Sequence, residues 1–368
     1  MTTSSPSAAS ASRTRRLLIY GAGGYTGRLL AAEARARGLD AVLAGRRADR
    51  LTPIAERLGL PFRVCAVDDP GELARAFADV AVVVNSAGPF EVTARPVLEA
   101  CLRVGAHYLD VAGEIGVLRE LSRRDAEAAR AGVMVMPGAG FVCAASDCLA
   151  AHVAAHLPDA KYLRLGFSRG DRISRGSLAS MFGLAGRAVP IRRDGKLRAI
   201  PAGSLQHAFD YGRGESVSMA VPWPDAFASF RTTGIPNIAG FLEADVFTRS
   251  AYRLASGLAA PLLAGPARRL LEALPALVPD GPSEAERAAT PKVVVAEVED
   301  GYRRVVTARL HTPNVYTFTR HCTIAIAERA LAGEVRAGFR TPAEVFGPDF
   351  VLGLPGVWRE DAQRPRLQ

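Results

Sequence analysis

The sequence predicts an α/β chain, a doubly wound parallel sheet followed by a second α+β domain with a mainly antiparallel sheet. Three observations carry this. The apolar run Leu17-Leu18-Ile19-Tyr20 feeds directly into a glycine-rich turn and then an Ala/Leu/Arg helix. Short apolar runs and helical segments keep alternating up to about residue 146, as a parallel sheet with crossover helices requires. Beyond that point the spacing changes to strands joined by a hairpin signal.

The elements follow in order. Leu17–Tyr20 reads as a strand buried on both faces, and a helix runs from Arg28 to about Arg37, closed by Gly38. Ala41–Ala44 is the second strand and Phe62–Val67 the third, with Asp68 at its end where it can border an adenine. A helix over Glu72–Ala78 leads to strand Ala81–Val84, and a helix over Arg95–Arg103 leads to strand Ala106–Asp110. One long helix, Ile115 to Ala131, precedes the sixth strand, Val133–Met136.

Between the first strand and helix the spacing is GxxGxxG (Gly21, Gly24, Gly27) with an extra Gly23. Such a turn lets backbone approach a pyrophosphate while the helix N-terminus aims free N–H groups at it. The second strand ends in Gly45-Arg46-Arg47, where a carboxylate would select NAD. A guanidinium there suits a 2′-phosphate, so the expected cofactor is NADP, gripped by Arg46.

The chain has 368 residues with a formal net charge of +9, yet only three of its 46 basic residues are lysine and the arginines are dispersed. That spread argues against nucleic-acid binding and for a small anionic ligand. The five cysteines are scattered without a CxxC pair, as in a reduced, cytoplasmic protein without a zinc site. No segment reaches membrane-spanning length; Leu254–Leu263, broken by Pro261, reads as a buried helix or at most a peripheral membrane contact. Residues 1–15 read as a disordered tail.

Gly21-Ala22-Gly23-Gly24-Tyr25-Thr26-Gly27, Ala44-Gly45-Arg46, Asn85-Ser86-Ala87-Gly88-Pro89-Phe90, His107-Tyr108-Leu109-Asp110 and Gly113-Glu114 together resemble the saccharopine dehydrogenase-like oxidoreductases, nearest the trans-acting enoyl reductase branch. The resemblance implies a Rossmann domain, a second domain whose sheet dimerises, and a cleft between them. It further implies that the glycine turn, including Tyr25 and Thr26, carries the pyrophosphate, and that Asn85, Ala87, Gly88, Pro89 and Phe90 hold the nicotinamide half. Tyr108, Asp110 and Glu114 would face the substrate. Where the branch reads Gly-Phe-Asp-Ser-Val-Pro-Ser-Asp, this chain has Gly140-Phe141-Val142-Cys143-Ala144-Ala145-Ser146-Asp147, a change in a loop expected to enter the cleft.

The domain expectation is a Rossmann unit over 16–145, a substrate and dimerisation domain over 146–320, and a C-terminal segment, 321–368, packing back on the first. In the second unit Asp147–Leu157 reads as a helix capped by Ser146 or Asp147. Lys161–Gly166, Ser216–Ala220, Lys292–Val298 and Arg303–Leu310 read as strands, the last two joined by Glu299-Asp300-Gly301. Thr319–Leu331 reads as a helix, and Arg231–Gly234 as either a plain turn or a cleft border.

Hydride transfer asks the protein to place the nicotinamide and to supply a proton. Alternation puts Tyr108 and Asp110 on one strand face, which makes them the expected proton donors, with Glu114 behind. The expected reaction is reduction of a polarised double bond, an activated C=C ahead of an imine or a carbonyl. A carboxylate substrate would use Arg169, Arg172, Arg175 or Arg231; a greasy one would use Phe90, Phe141, Phe182, Phe227 and Phe230. His152 and His156 share a helix face but lack a third ligand, so no metal is expected. A non-catalytic NADP sensor is the alternative from another class.

Overall fold

The computed structural model describes residues 15–169, 173–177, 188–246, 249, 280–361 and 366–367. Most of the N-terminal tail, Arg172, Phe182 and the Leu254–Leu263 stretch lie outside the described residues.

The first domain follows the predicted alternation. In chain order it runs β1 (Leu17–Tyr20), α1 (Tyr25–Ala36), β2 (Ala41–Gly45), α2 (Ala48–Leu58), β3 (Phe62–Val64), α3 (Pro70–Phe77) and β4 (Val82–Asn85). It continues through α4 (Phe90–Val104), β5 (His107–Asp110), α5 (Ile115–Ser122), α6 (Asp125–Arg130) and β6 (Met134–Met136). Every strand pairing in this sheet is parallel. In β1, Leu17 and Ile19 enter the core shared with the second domain, while Leu18 and Tyr20 enter the core on the opposite sheet face.

Four expectations change. β3 stops at Val64; the Cys65 N–H still bonds the Gly45 carbonyl at 3.0 Å, and the Ala66 N–H goes to the Glu72 carboxylate at 3.0 Å. The long helix is two, α5 and α6, broken at Arg123-Arg124. Helix α2 was not foreseen; its Pro53 and mixed polarity mask an amphipathic pattern that buries Leu51 and Ile54. The sheet has seven strands rather than six, since Gly338–Phe339 adds to the β6 edge.

After β6 the chain makes a π-helical turn over Phe141–Ala145 and enters α7 (Ser146–His156), then β7 (Tyr162–Phe167). The second domain continues with β8 (Val189–Arg193), β9 (Lys196–Ile200), β10 (Gln206–Asp210), β11 (Glu215–Ala220), α8 (Asp225–Thr233) and β12 (Asn237–Glu243). Then come α9 (Glu284–Ala288), β13 (Lys292–Glu299), β14 (Arg304–Thr312) and α10 (Val315–Leu331). The last elements are β15 (Gly338–Phe339), α11 (Pro342–Phe346), β16 (Trp358–Glu360) and β17 (Arg366–Leu367).

Among the described residues its sheet has ten strands and is antiparallel except where β12 lies parallel to β7. The π-turn, α7 and α10 fill the space between the two sheets, in one continuous apolar cluster running from Leu17 and Ile19 to Val294 and Leu310. The expected Ser146 or Asp147 cap is absent: α7 follows the π-turn without a break, with Ala145 at the cap position. Arg231–Thr233 is neither turn nor loop but the last turn of α8. The C-terminal segment divides, β15 joining the first sheet and β16 the second. No helix among the described residues is long and apolar enough to cross a membrane.

Candidate active site

The glycine turn is built by close approach. Gly21 has φ +83°, and a Cβ there would sit 2.6 Å from the Ala87 backbone nitrogen in the β4–α4 loop. A Cβ on Gly27 would drive into the Gly21 carbonyl, and one on Gly23 would lie 3.0 Å from Cβ of Arg50. Gly24 is the cap of α1; no side chain caps that helix and its first turn holds no acid. The N–H groups of Tyr25, Thr26 and Gly27 therefore point out of the helix start, available to an anion. This cradle fits a dinucleotide pyrophosphate.

Arg46 follows β2 on the surface, and its guanidinium makes no hydrogen bond or ion pair among the described residues. Asp68 is exposed beyond the shortened β3, while its neighbour Asp69 caps α3 by accepting the Gly71 and Glu72 N–H groups at 2.8 Å. Asn85 does not reach into the cleft. It is fully buried, accepts the Ala87 N–H at 3.0 Å and donates to the Thr93 hydroxyl at 3.2 Å, so it shapes the loop instead of touching a ligand. Ser86, Ala87, Gly88 and Pro89 form the rim, but Phe90 turns inward to the core as the first residue of α4.

Tyr108 and Asp110 do share a strand face, as alternation demands, yet that face is sealed. Tyr108 is 0% exposed, and its hydroxyl donates to Asp110 Oδ2 at 2.7 Å. Asp110, also 0% exposed, accepts the Ala112 and Gly138 N–H groups through Oδ1 at 2.9 Å each. The pair ties the ends of β5 and β6 together and does not face a substrate. Burial pushes the Asp110 carboxyl up to about 6 even with three donors around it. Glu114 differs: one carboxylate oxygen accepts the Gly113 N–H at 2.9 Å, and the other makes no bond among the described residues. His107 stays structural, its Nδ1 accepting the Met134 N–H at 3.1 Å.

The proposed greasy lining is largely core. Phe141 is buried edge-on to Phe318 and Phe167, with ring centroids at 5.6 and 6.0 Å, and Phe227 meets Phe339. Phe230 lies under the Arg192 guanidinium at 3.7 Å. Of the candidate cations, Arg231 pairs with Glu344 at 2.9 Å and Arg175 with Asp280 at 2.7 Å, while Arg169 is exposed. His152 and His156 meet at a tilt, ring centroids 4.6 Å apart with planes at 58°, and no metal-binding cluster exists among the described residues. All five cysteines are buried and unpaired.

Two further acids are buried here, Asp147, which the sequence offers only as a helix cap and in the loop motif, and Asp225, which it does not single out. Asp147 accepts the Thr232 hydroxyl at 2.5 Å and the Ala343 N–H at 3.0 Å, tying α7 to α8 and α11. Asp225, at the start of α8, is 1% exposed and neither oxygen has a donor. The nearby Ser146 hydroxyl is turned to the Val142 and Cys143 carbonyls at 3.1 Å. Burial raises Asp147 to about 6 and Asp225 to about 7.

Comparison with known proteins bears on this site. Residues 17–136 match the saccharopine dehydrogenase NADP-binding domain. The human saccharopine dehydrogenase-like oxidoreductase is 29% identical over 149 residues, 35% of this chain and 35% of that protein. The trans-acting enoyl reductase of Mycobacterium ulcerans is 28% identical over 152 residues, 39% of this chain and 36% of its own length. The matched stretch thus spans about a third of these curated relatives. Across the whole chain the fold is similar to saccharopine dehydrogenase (L-Glu forming) of Saccharomyces cerevisiae, with a TM-score of 0.63 at 15% identity, covering 95% of this chain and 100% of that one.

Proposed function

Starting from a first domain of the saccharopine dehydrogenase NADP-binding type, we propose that the protein is an NADPH-dependent oxidoreductase acting on a polarised double bond, an activated C=C first, of a small or lipid-like substrate. The observation that carries the reading is the open glycine cradle with an unpaired Arg46 at the end of β2 and no acid in its place.

When bound, the cofactor supplies the hydride. The chain's part is to hold and to orient. The N–H groups opening α1 bind the pyrophosphate, and Arg46 takes the 2′-phosphate through a charge-assisted bond. The Ser86–Pro89 rim, in contact with Gly21, sets how deeply the cofactor sits. Asp110 and Tyr108 hold the strand ends beneath it. Glu114, with one oxygen open, is the group at this edge that can hold the proton that follows the hydride. The preference for C=C rests on the likeness of the first domain to trans-acting enoyl reductases.

Fluorescence titration with NADPH and NADH tests the cofactor half. Arg46→Ala is expected to weaken NADPH by about 1–3 kcal/mol, the worth of a hydrogen bond to a charged group, and to leave NADH unchanged. An equal loss for both would refute the 2′-phosphate role. Loss of NADPH absorbance with enones, imines and carbonyls then identifies the acceptor; oxidation by none of them would leave a sensor.

A further inference from the structure

The outer side of the glycine turn is held by the second domain. Tyr25 is the first residue of α1, so its backbone N–H is among the groups open to a pyrophosphate. Its phenol leads away from the turn, donating to the Pro282 carbonyl at 2.5 Å and accepting from the Arg287 guanidinium at 2.8 Å. The same Arg287 nitrogen also donates to the Pro282 carbonyl at 3.0 Å, which closes a three-cornered joint. The Tyr25 ring meets Tyr316 edge-on, centroids 5.0 Å apart, and Gly281 lies so flat against it that a Cβ would come within 2.6 Å of a ring carbon.

The surroundings repeat the connection. One turn along α1, Arg28 bonds back to the Gly23 carbonyl at 3.1 Å and reaches Asp280 at 3.0 Å. Asp280 also pairs with Arg175, and the Tyr316 hydroxyl accepts the Ser174 N–H at 2.6 Å. Segment 280–287 and Tyr316 of α10 therefore meet the first turn of one first-domain helix, and segment 173–177 backs both through Asp280 and the Tyr316 hydroxyl.

We propose that Tyr25 and Arg287 are positioning residues for the cofactor: the second domain braces the pyrophosphate-binding turn, and the NADP site reaches full affinity only with the two domains docked. This rests on the reading that the turn holds the dinucleotide. The physical reason is preorganisation, since N–H donors held in place bind an anion without the loss of freedom that a loose turn would suffer on binding. The pyrophosphate is common to NADPH and NADH, so the brace acts on both, unlike Arg46.

Tyr25→Phe removes the hydroxyl and keeps the ring; Arg287→Met removes the guanidinium and keeps the stem. Each is expected to raise the dissociation constants of NADPH and NADH together, five- to twentyfold. The double variant should be no weaker than the weaker single one, because both break one joint. The melting temperature of the cofactor-free protein checks folding, and the rise in melting temperature on adding NADPH gives a second readout that should shrink in each variant. Should Tyr25→Phe fail to fold, Arg287→Lys and Gly281→Ala probe the same joint from the second domain. Folded variants that bind both cofactors within twofold of the parent, or losses that simply add, overturn the brace while leaving the NADP reading intact. A parent protein that binds neither cofactor overturns both.

Discussion

Asp110 and Asp225 are both sealed from solvent, and both are shifted upward by burial, yet the chain treats them in opposite ways. Asp110 ends a strand and receives three donors, from Tyr108, Ala112 and Gly138. Asp225 opens a helix, lies so close to Gly240 that a Cβ there would be 2.9 Å from its Oδ2, and receives none. The contrast separates two uses of a buried acid. A carboxylate with its lone pairs filled is a fastener that fixes backbone. One without donors is comfortable only when it carries its own proton.

The contrast can be broken at its strong end first. Asp110→Ala leaves two backbone N–H groups and the phenol O–H without their acceptor in the interior, and should cost about 3–5 kcal/mol in chemical denaturation. A loss under 1 kcal/mol would mean that the strand ends do not depend on it. Asp225 is the sharper case. Because its folded pKa, about 7, lies above the ordinary 3.8, the folded state holds the extra proton between these values. Stability should therefore fall as pH rises from about 4 to about 7 and level off above, by on the order of 3–4 kcal/mol for this group. Asp225→Asn should flatten that slope and be about 2 kcal/mol more stable than the parent at pH 8; parallel pH profiles would show that Asp225 finds a partner in solution.

Next in size is Tyr108→Phe, which deprives Asp110 of one donor of three and should cost about 1–2 kcal/mol with NADPH affinity unchanged. A tenfold loss of turnover at unchanged stability would instead put the phenol against the substrate. The smallest effect belongs to an acid in water. Asp79, held at about 2 chiefly by the Arg63 guanidinium, keeps its side chain 42% exposed. Its contribution is present above pH about 4 and fades as pH falls toward 2, and Asp79→Asn should cost under about 1 kcal/mol at pH 7 because solvent screens the pair.

The sequence made the first domain legible because its central strands β1, β2 and β4 are buried on both faces and read as apolar runs. The glycine turn was legible for a related reason, since only glycine tolerates the contacts at Gly21 and Gly27. The hairpin β8–β9 was readable in principle from Asp194-Gly195, flanked by alternating residues, but its strands are too polar to stand out. Strand β15 has two residues, too few for any periodicity. At the site, alternation placed Tyr108 and Asp110 on one face correctly but could not say that this face is closed to a ligand. Arg287 and Asp225 carry no local signal at all; their roles come from residues far away in the chain, Tyr25 and Gly240.

Strand β15 also bears on how this chain can be recombined. It reaches the β6 edge only after the chain has completed most of the second domain, and the Asp125 carboxylate accepts its Phe339 N–H at 2.7 Å. Helix α10, just before it, lies against α1 and under β4. The nucleotide-binding half is thus assembled from two separate stretches of the chain, and the second domain, which resumes at β16, is not a simple tail. A fragment cut near residue 145 would expose a sheet edge and a broad apolar face. A chimaera that exchanges substrate domains has to keep α10 through α11 and replace both the interior stretch and the strands after α11, joining new pieces at three points.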